Sequence, residues 1–482
     1  MPRMGDETPS MKRDRAGEVR RFSVWPMLVL AMVNLVDQID VAILRGVLPF
    51  LEDEWGLNDF QLGLLGFVFI FVNTIATIPA GWVADHYRRT RIIGWTLLSW
   101  SGLIVLSATA VNYLNLLFAR AVMGIGQSVD DPASTSLLGD YYPARMRARA
   151  FSFQQVSVFV GGGIGLALGG WVGSTLGWRW AFALVGMPGS LVAVLAFRLR
   201  EPRRGEADLP ASAAAELPPV PAEARGLSFR AFIRTMFIEL SAELRMIFGI
   251  RTMRYILIGV SALLFTVAGI SYWLAVYHER YSGMTVTEAT TFTALVLGVG
   301  GLIGTFGGGA VGDRVFGTRG PSARIAFVVW SALTCTVLFL ISFALSDVVA
   351  RLVLQFLGVV AAAGSVPSLR ASMLDVLPAQ SRGVGASAFA LAAAVFGTAL
   401  APVLVGVLSD LTSLVGAFYI VFPPVMVGLL FLLRARTTIV EDAAAIISAA
   451  AAAHTEAVAA SAREPHADGA SAPDENDMER RG

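Results

Sequence analysis

About twelve stretches of this chain are apolar over the roughly 20 residues that a helix needs to cross a bilayer. They centre on residues 25–50, 60–84, 92–111, 114–138, 150–176, 180–199, 253–277, 290–312, 323–345, 349–374, 384–408 and 412–433. In hydrocarbon every backbone N–H and C=O must be satisfied inside the protein, so such stretches become helices packed on one another. The composition agrees, with 55% hydrophobic and only 15% charged residues. Six stretches fall in each half. The expectation is an all-α integral membrane protein with twelve transmembrane helices in two six-helix bundles.

The halves also repeat each other. DPASTSLLGDYYPARMRARA (131–150) aligns with VPSLRASMLDVLPAQSRGVG (366–385), matching Pro132 to Pro367, Asp140 to Asp375, Pro143 to Pro378 and Arg147 to Arg382, each pair 235 positions apart. GWVADHYRR pairs Gly81 and Asp85 with Gly309 and Asp313 of GAVGDRVFG at an offset of 228. Unequal loops leave a difference of this kind, and parallel repeats build many transporters.

Basic residues set the orientation. Lys12, Arg13, Arg15, Arg20 and Arg21 precede the first span, Arg88, Arg89 and Arg91 follow the second, and Arg145, Arg147 and Arg149 follow the fourth. Arg314, Arg319 and Arg324 follow the eighth, while EDEWGLND (52–59) in an alternate loop is acidic. The positive-inside rule then puts both termini and the even-numbered loops in the cytoplasm, with the protein in the cell (plasma) membrane. The first span holds Asp37, Asp40 and Arg45 and lacks a small-residue cleavage site, unlike a signal peptide. The division expected is a tail 1–21, a bundle 22–199, a linker 200–250, a bundle 251–436 and a tail 437–482. The linker starts as a Pro/Ala/charge run and ends in 229–248, whose apolar face suits the membrane interface. The tail is expected to be partly helical near the membrane and disordered beyond. Lone Cys335 excludes an intrachain disulfide.

A charge in the hydrocarbon costs roughly 2.5–3.5 kcal/mol on insertion scales, so each demands a partner or a task. The first span holds Asp37, Asp40 and Arg45; the fourth holds Arg120, Gln127, Asp130 and Asp131; the tenth holds Arg370. One reading is a protonation switch at Asp40, Asp130, Asp131 or Asp37, with Arg120, Arg370, Arg45 and Gln127 meeting substrate. The other is a static buried ion pair fixing helix register. A carboxylate whose proton affinity differs between two states lets a proton gradient bias their equilibrium. Asp85 with Arg88, Arg89 and Arg91 suits a latch between helix ends, repeated by Asp313 with Arg314. Asp140 with Arg147, and Asp375 with Arg382, look like its counterparts; ordinary helix-end charges are the alternative. The glycine runs GGGIGLALGG (161–170) and GVGGLIGTFGGGA (298–310) read as close helix packing. His278 and Glu279 read as rim residues. No nucleophile motif, metal-ligand cluster or phosphate-cradling loop stands out, so no enzyme, no cofactor and no nucleic-acid partner is expected.

At these residues the chain resembles the major facilitator superfamily: GWVADHYRRTR is similar to its signature loop, with Gly81, Asp85 and Arg89 in place. WGLNDFQLGLL (55–65), GIGQSVDDPASTSLLGDYYP (124–143), YSGMTVTEA (281–289) and LVLGVGGLIGTFGGGAVGDR (295–314) resemble the spinster group of lipid transporters and its bacterial relatives. The resemblance implies a proton-coupled, alternating-access carrier for amphipathic lipids such as lysophospholipids or sphingoid-base phosphates. It places the group's first-helix acid on Asp40 and its fourth-helix arginine on Arg120. The group's arginine after that acid is Val41 here, and its fourth-helix glutamate is Gln127, which cannot titrate. The partners expected are membrane lipids, a small amphipathic substrate and protons, for a monomer. Efflux of drug-like or small-metabolite cations is the rival function, and a non-transporting membrane sensor a further one.

Overall fold

The computed structural model of the protein describes residues 23–204, 206–208, 245, 248–377 and 389–461. The tail 1–21, nearly all of the stretch 229–248, the loop bearing Arg382, the residues from 462 on and the side chain of Asp85 lie outside the described residues.

The first half runs through α1 (Trp25–Trp55), α2 (Asp59–His86), α3 (Arg89–Ser107), α4 (Tyr113–Gln127), α5 (Asp130–Tyr141), α6 (Ala144–Thr175) and α7 (Trp178–Phe197). The second runs through α8 (Arg251–Ser282), α9 (Val286–Ala294), α10 (Gly300–Arg319), α11 (Pro321–Ala344), α12 (Val348–Asp375), α13 (Leu400–Leu411) and α14 (Leu414–Ser461). A wider π-helical turn, Leu295–Val299, joins α9 to α10 as one span, and a second, Ala393–Ala399, leads into α13. Local signals account for the ends. Gly56 closes α1 at φ 62°, a left-handed conformation that glycine adopts without strain, and its N–H bonds the Glu52 carbonyl at 2.8 Å. Asn58 and Gln61 then cap α2 reciprocally, at 2.9 and 3.0 Å.

Among the described residues eleven helical runs are long and apolar enough to cross a membrane. The twelfth, at 113–141, is two pieces, each too short alone. Pro132 contributes: it has no N–H for the Ser128 carbonyl one turn back, and the helix loosens at 128–129 and restarts at Asp130, whereas its repeat counterpart Pro367 lies inside an unbroken α12. The last span is longer than its apolar stretch, because the alanine-rich residues after it continue the same helix to Ser461.

The glycine runs are packing surfaces. A Cβ at Gly165 of α6 would collide with the Ile39 carbonyl of α1, and one at Gly308 of α10 with Gly364 of α12. Helix backbones thus meet directly where lipid offers no hydrophobic drive between helices.

Among the described residues the two halves are joined by ion pairs at one end. There Arg280 of α8 bonds Asp59 at 2.7 and 2.9 Å and Glu52 at 2.6 Å. Ser409 donates to Asp59 at 2.5 Å, and Asp410 accepts the backbone N–H groups of Asp59 and Phe60, both at 2.9 Å. The last two belong to the first turn of α2, so a carboxylate of one half satisfies the helix start of the other. Deeper, the Tyr272 hydroxyl bonds the Leu62 carbonyl at 2.8 Å. At the opposite end the prominent ion pairs stay within a half, as described next.

Candidate functional site

Asp37 and Asp40 stand three residues apart on α1, close around the helix, and it is the helices packed against α1 that give them different partners. Asp40 turns into the first half, fully buried, where Arg120 of α4 meets it at 3.3 Å and the Gln127 amide nitrogen donates to it at 3.2 Å. Arg120 is itself buried and lies over the Phe69 ring, 4.9 Å from its centroid. A charge pair closed off in this way holds only because each member compensates the other.

Asp37 faces a cavity of about 190 Å³ lined by Val33, Asn34, Asp37, Gln38, Val41, Phe69, Asn73, Gln127, Asp130, Asp131, Ser134 and Gln154. Asp130 and Asp131 enter it because the helix restarts there: they occupy the first turn of α5, where exposed N–H groups favour negative charge. Asp130 is buried, takes a 3.3 Å bond from Thr96 on one oxygen and has no partner on the other; the Trp100 indole lies beside it. Asp131 is open to the cavity, and Arg370, exposed on α12, is the charge acting on it from the other half.

The four acids expected to carry proton coupling are thus gathered around one stretch of α1. Asp37, Asp130 and Asp131 line the cavity and Asp40 sits behind it. Of the four residues expected to meet substrate, Gln127 lines the cavity. Arg120 is held by Asp40, Arg45 lies toward Tyr272 and Arg120 away from the lining, and Arg370 stands on the facing half.

At the opposite end Arg89 is a buried hub. It bonds Asp140 at 2.5 Å, Ser136 at 2.8 Å, Glu201 at 2.8 Å and the Pro202 carbonyl at 3.1 Å, and Glu201 in turn accepts from Thr90. The start of α3, the end of α5 and the segment after α7 are thereby tied together. In the second half Arg324 bonds Asp375 at 2.8 Å, approaches Asp313 at 3.6 Å and stacks on Phe316. Arg324, not the neighbouring Arg314, is therefore the centre of the second group. Arg147 bonds the Gly139 and Tyr142 carbonyls at the end of α5, a helix-end role. Gly81 lies within α2, and Arg382 is outside the described residues. Arg89 and Arg324 are 235 positions apart, like Asp140 and Asp375, so the repeat itself could have revealed Arg324. Glu201 carried no such signal.

His278 is not a rim residue. It is fully buried, with one ring nitrogen 3.1 Å from Ser282 and the other 2.9 Å from Gln355. The pairing partners at the closed end, Arg280 with Asp59 and Asp410 with the start of α2, also escaped sequence reasoning, because helix-end charges look alike until the halves are brought together.

Comparison with known proteins agrees with this arrangement. Residues 30–395 match the family model described as Major Facilitator Superfamily. Protein spinster homolog 1 of Xenopus tropicalis is 31% identical over 191 residues, 38% of this chain and 36% of that protein. The 4-hydroxybenzoate transporter PcaK of Acinetobacter baylyi is 30% identical over 182 residues, 37% of this chain and 39% of that one. The chain thus spans well under half the length of either of these curated relatives. Among solved structures, a bacterial homolog of the human lysosomal transporter spinster, in an inward-facing and unoccupied conformation, superposes with a TM-score of 0.72. It covers 87% of this chain and 98% of that one at 21% identity. With the family model spanning most of its helices, the chain belongs to the Major Facilitator Superfamily, and its fold is shared with a spinster-like transporter.

Proposed function

We propose that the protein is a proton-coupled secondary transporter that moves a lysolipid-like or other amphipathic molecule by alternating access. The observation that carries this reading is the polar cavity of Asp37, Asp130 and Asp131, in a protein whose halves are, among the described residues, tied together by ion pairs at one end. Acids in the hydrocarbon region of a membrane mark pathways far more often than they serve packing. Rocking the halves would break the Arg280–Asp59 and Asp410 contacts and close the other end. Asp131 and Arg370 belong to different halves, so their separation changes with that rocking. A proton bound by the acids then weighs differently in the two states, and a gradient drives the cycle.

The basic residues near the Arg89 end support reading that end as the cytoplasmic one, and with it an inward-facing state and cytoplasmic termini. The test is uptake of a fluorescent lysophospholipid by inside-out proteoliposomes under a proton gradient, with and without a protonophore. Gradient-dependent uptake that Asp40→Asn abolishes supports the reading; full proton-driven flux in that variant removes Asp40 from the coupling. Flat uptake in loaded and empty liposomes alike shifts the weight to efflux of small cations. One observation favours that second reading: the cavity lining carries three carboxylates and no cation.

A further inference from the structure

We infer that the cavity recognises the head of its substrate as a protonated amine bearing N–H groups, held between Asp37 and Asp130 with the Gln127 carbonyl oxygen as a third acceptor. The inference rests on the proposed reading of this cavity as the substrate site, and adds the chemistry of the head.

Charge is the first support. Four carboxylates and two guanidinium groups surround the site. Arg120 is committed to Asp40, and Arg370 stands toward Asp131. Asp37 and Asp130 form no ion pair among the described residues, Arg120 acting on Asp37 only from its place beside Asp40; Asp37 is bonded by the Gln38 amide at 2.9 Å and Asp130 by the Thr96 hydroxyl. Two carboxylates without an ion-pair partner beside one small cavity are neutralised by a proton or by a bound cation.

The unmet bonds are the second support, independent of charge. Three lining residues bury a polar atom that has no partner: Asn34 through its side-chain oxygen, Gln127 through Oε1 and Asp130 through Oδ2. All three are acceptors. Gln127 is only 5% exposed and its amide nitrogen is already given to Asp40, so oxygen is what it presents. Two donors near these groups are also buried and unpaired, Trp100 Nε1, whose indole acts on Asp130, and Arg120 Nε; neither residue lines the cavity. A phosphate or carboxylate head would add acceptors to acceptors. An ammonium head brings up to three donors and one positive charge. A volume of about 190 Å³ suits such a head and the first carbons of its chain.

Protons and the amine would compete for the same carboxylates. An alkylammonium keeps its charge well above neutrality, with a reference value of about 10.4 for lysine. Binding should therefore weaken as pH falls, the acids facing the amine being Asp37, Asp130 and Asp131, with Asp40, Arg120 and Arg370 as the other charged groups around them. Such competition is what exchange of a proton for an amine requires.

The test is calorimetric titration of the full chain in phosphatidylcholine nanodiscs, with empty nanodiscs subtracted, against three probes sharing one tail. These are n-decylamine, n-decyltrimethylammonium and decyl phosphate. Saturable decylamine binding is expected, at least about tenfold tighter than either other probe. Asp37→Asn and Asp130→Asn should each weaken it at least about tenfold. Decyl phosphate or the trimethylated probe binding as tightly as decylamine overturns the inference, as do folded variants that bind like the parent. Should the variants fail to fold, the parent alone decides: affinity for decylamine that does not fall as the pH is lowered from about 8 to about 4, into the carboxylate range, also overturns it. Amine binding without flux in proteoliposomes would sink the transport reading and leave this one standing; lysophospholipid flux with no amine binding would do the reverse.

Discussion

Asp40 and Arg120 are closed off from solvent 3.3 Å apart, and each would be expensive in that place without the other. Removing one partner of a buried pair costs about 3–5 kcal/mol because the remaining charge is stranded. Arg120→Ala and Asp40→Asn are therefore both expected to lower the melting temperature, since each strands a buried charge. Differential scanning fluorimetry of the two variants and their combination checks this, and the double variant should recover part of the Arg120→Ala loss. The sequence marked these side chains, since acids and arginines stand out in apolar helices. It did not say which acid meets which cation. Asp37 and Asp40 differ by under a third of a turn in register, and only the neighbours that α1 receives decide that one meets Arg120 and the other the cavity.

The break between α4 and α5 is a property of an element to which Pro132 contributes. Pro132→Ala restores the donor for the Ser128 carbonyl and should make the span continuous, moving Asp130 and Asp131 off the cavity wall. The expected outcome is unchanged or raised thermal stability with transport reduced about tenfold or more; transport at the parent rate would mean the break does not position these acids. The start of α2 is the second such element, since its N–H groups are satisfied by Asp410 from the facing half. Arg280→Ala and Asp410→Asn should each weaken the closed end by about 1–2 kcal/mol, a fivefold to thirtyfold shift in the balance of states. Spin labels at Arg149 and Thr318, both exposed near the open end, report it as a growing fraction of short distances by electron paramagnetic resonance. Unchanged distances would leave the closed end to apolar packing.

Over the whole molecule, the repeat predicts that the two buried hubs are equivalent. Arg89→Ala and Arg324→Ala should both destabilise, with Arg89 the more severe because it serves Asp140, Ser136, Glu201 and a carbonyl at once, while Arg324 serves two carboxylates unequally. Equal falls in melting temperature would show that Glu201 adds little. The sequence by itself determined the helical class, the two halves and the residues with unusual chemistry. Each follows from local rules: apolar length fixes a span, proline removes a donor, and a charge in hydrocarbon needs a reason. Tertiary structure alone decided which end is closed, that Arg324 rather than Arg314 anchors the second half, that His278 is buried, and that the unpaired atoms of the cavity are all acceptors. Those outcomes depend on contacts between residues up to 351 positions apart, such as Asp59 with Asp410, and helix periodicity gives a residue's face without saying what that face will meet.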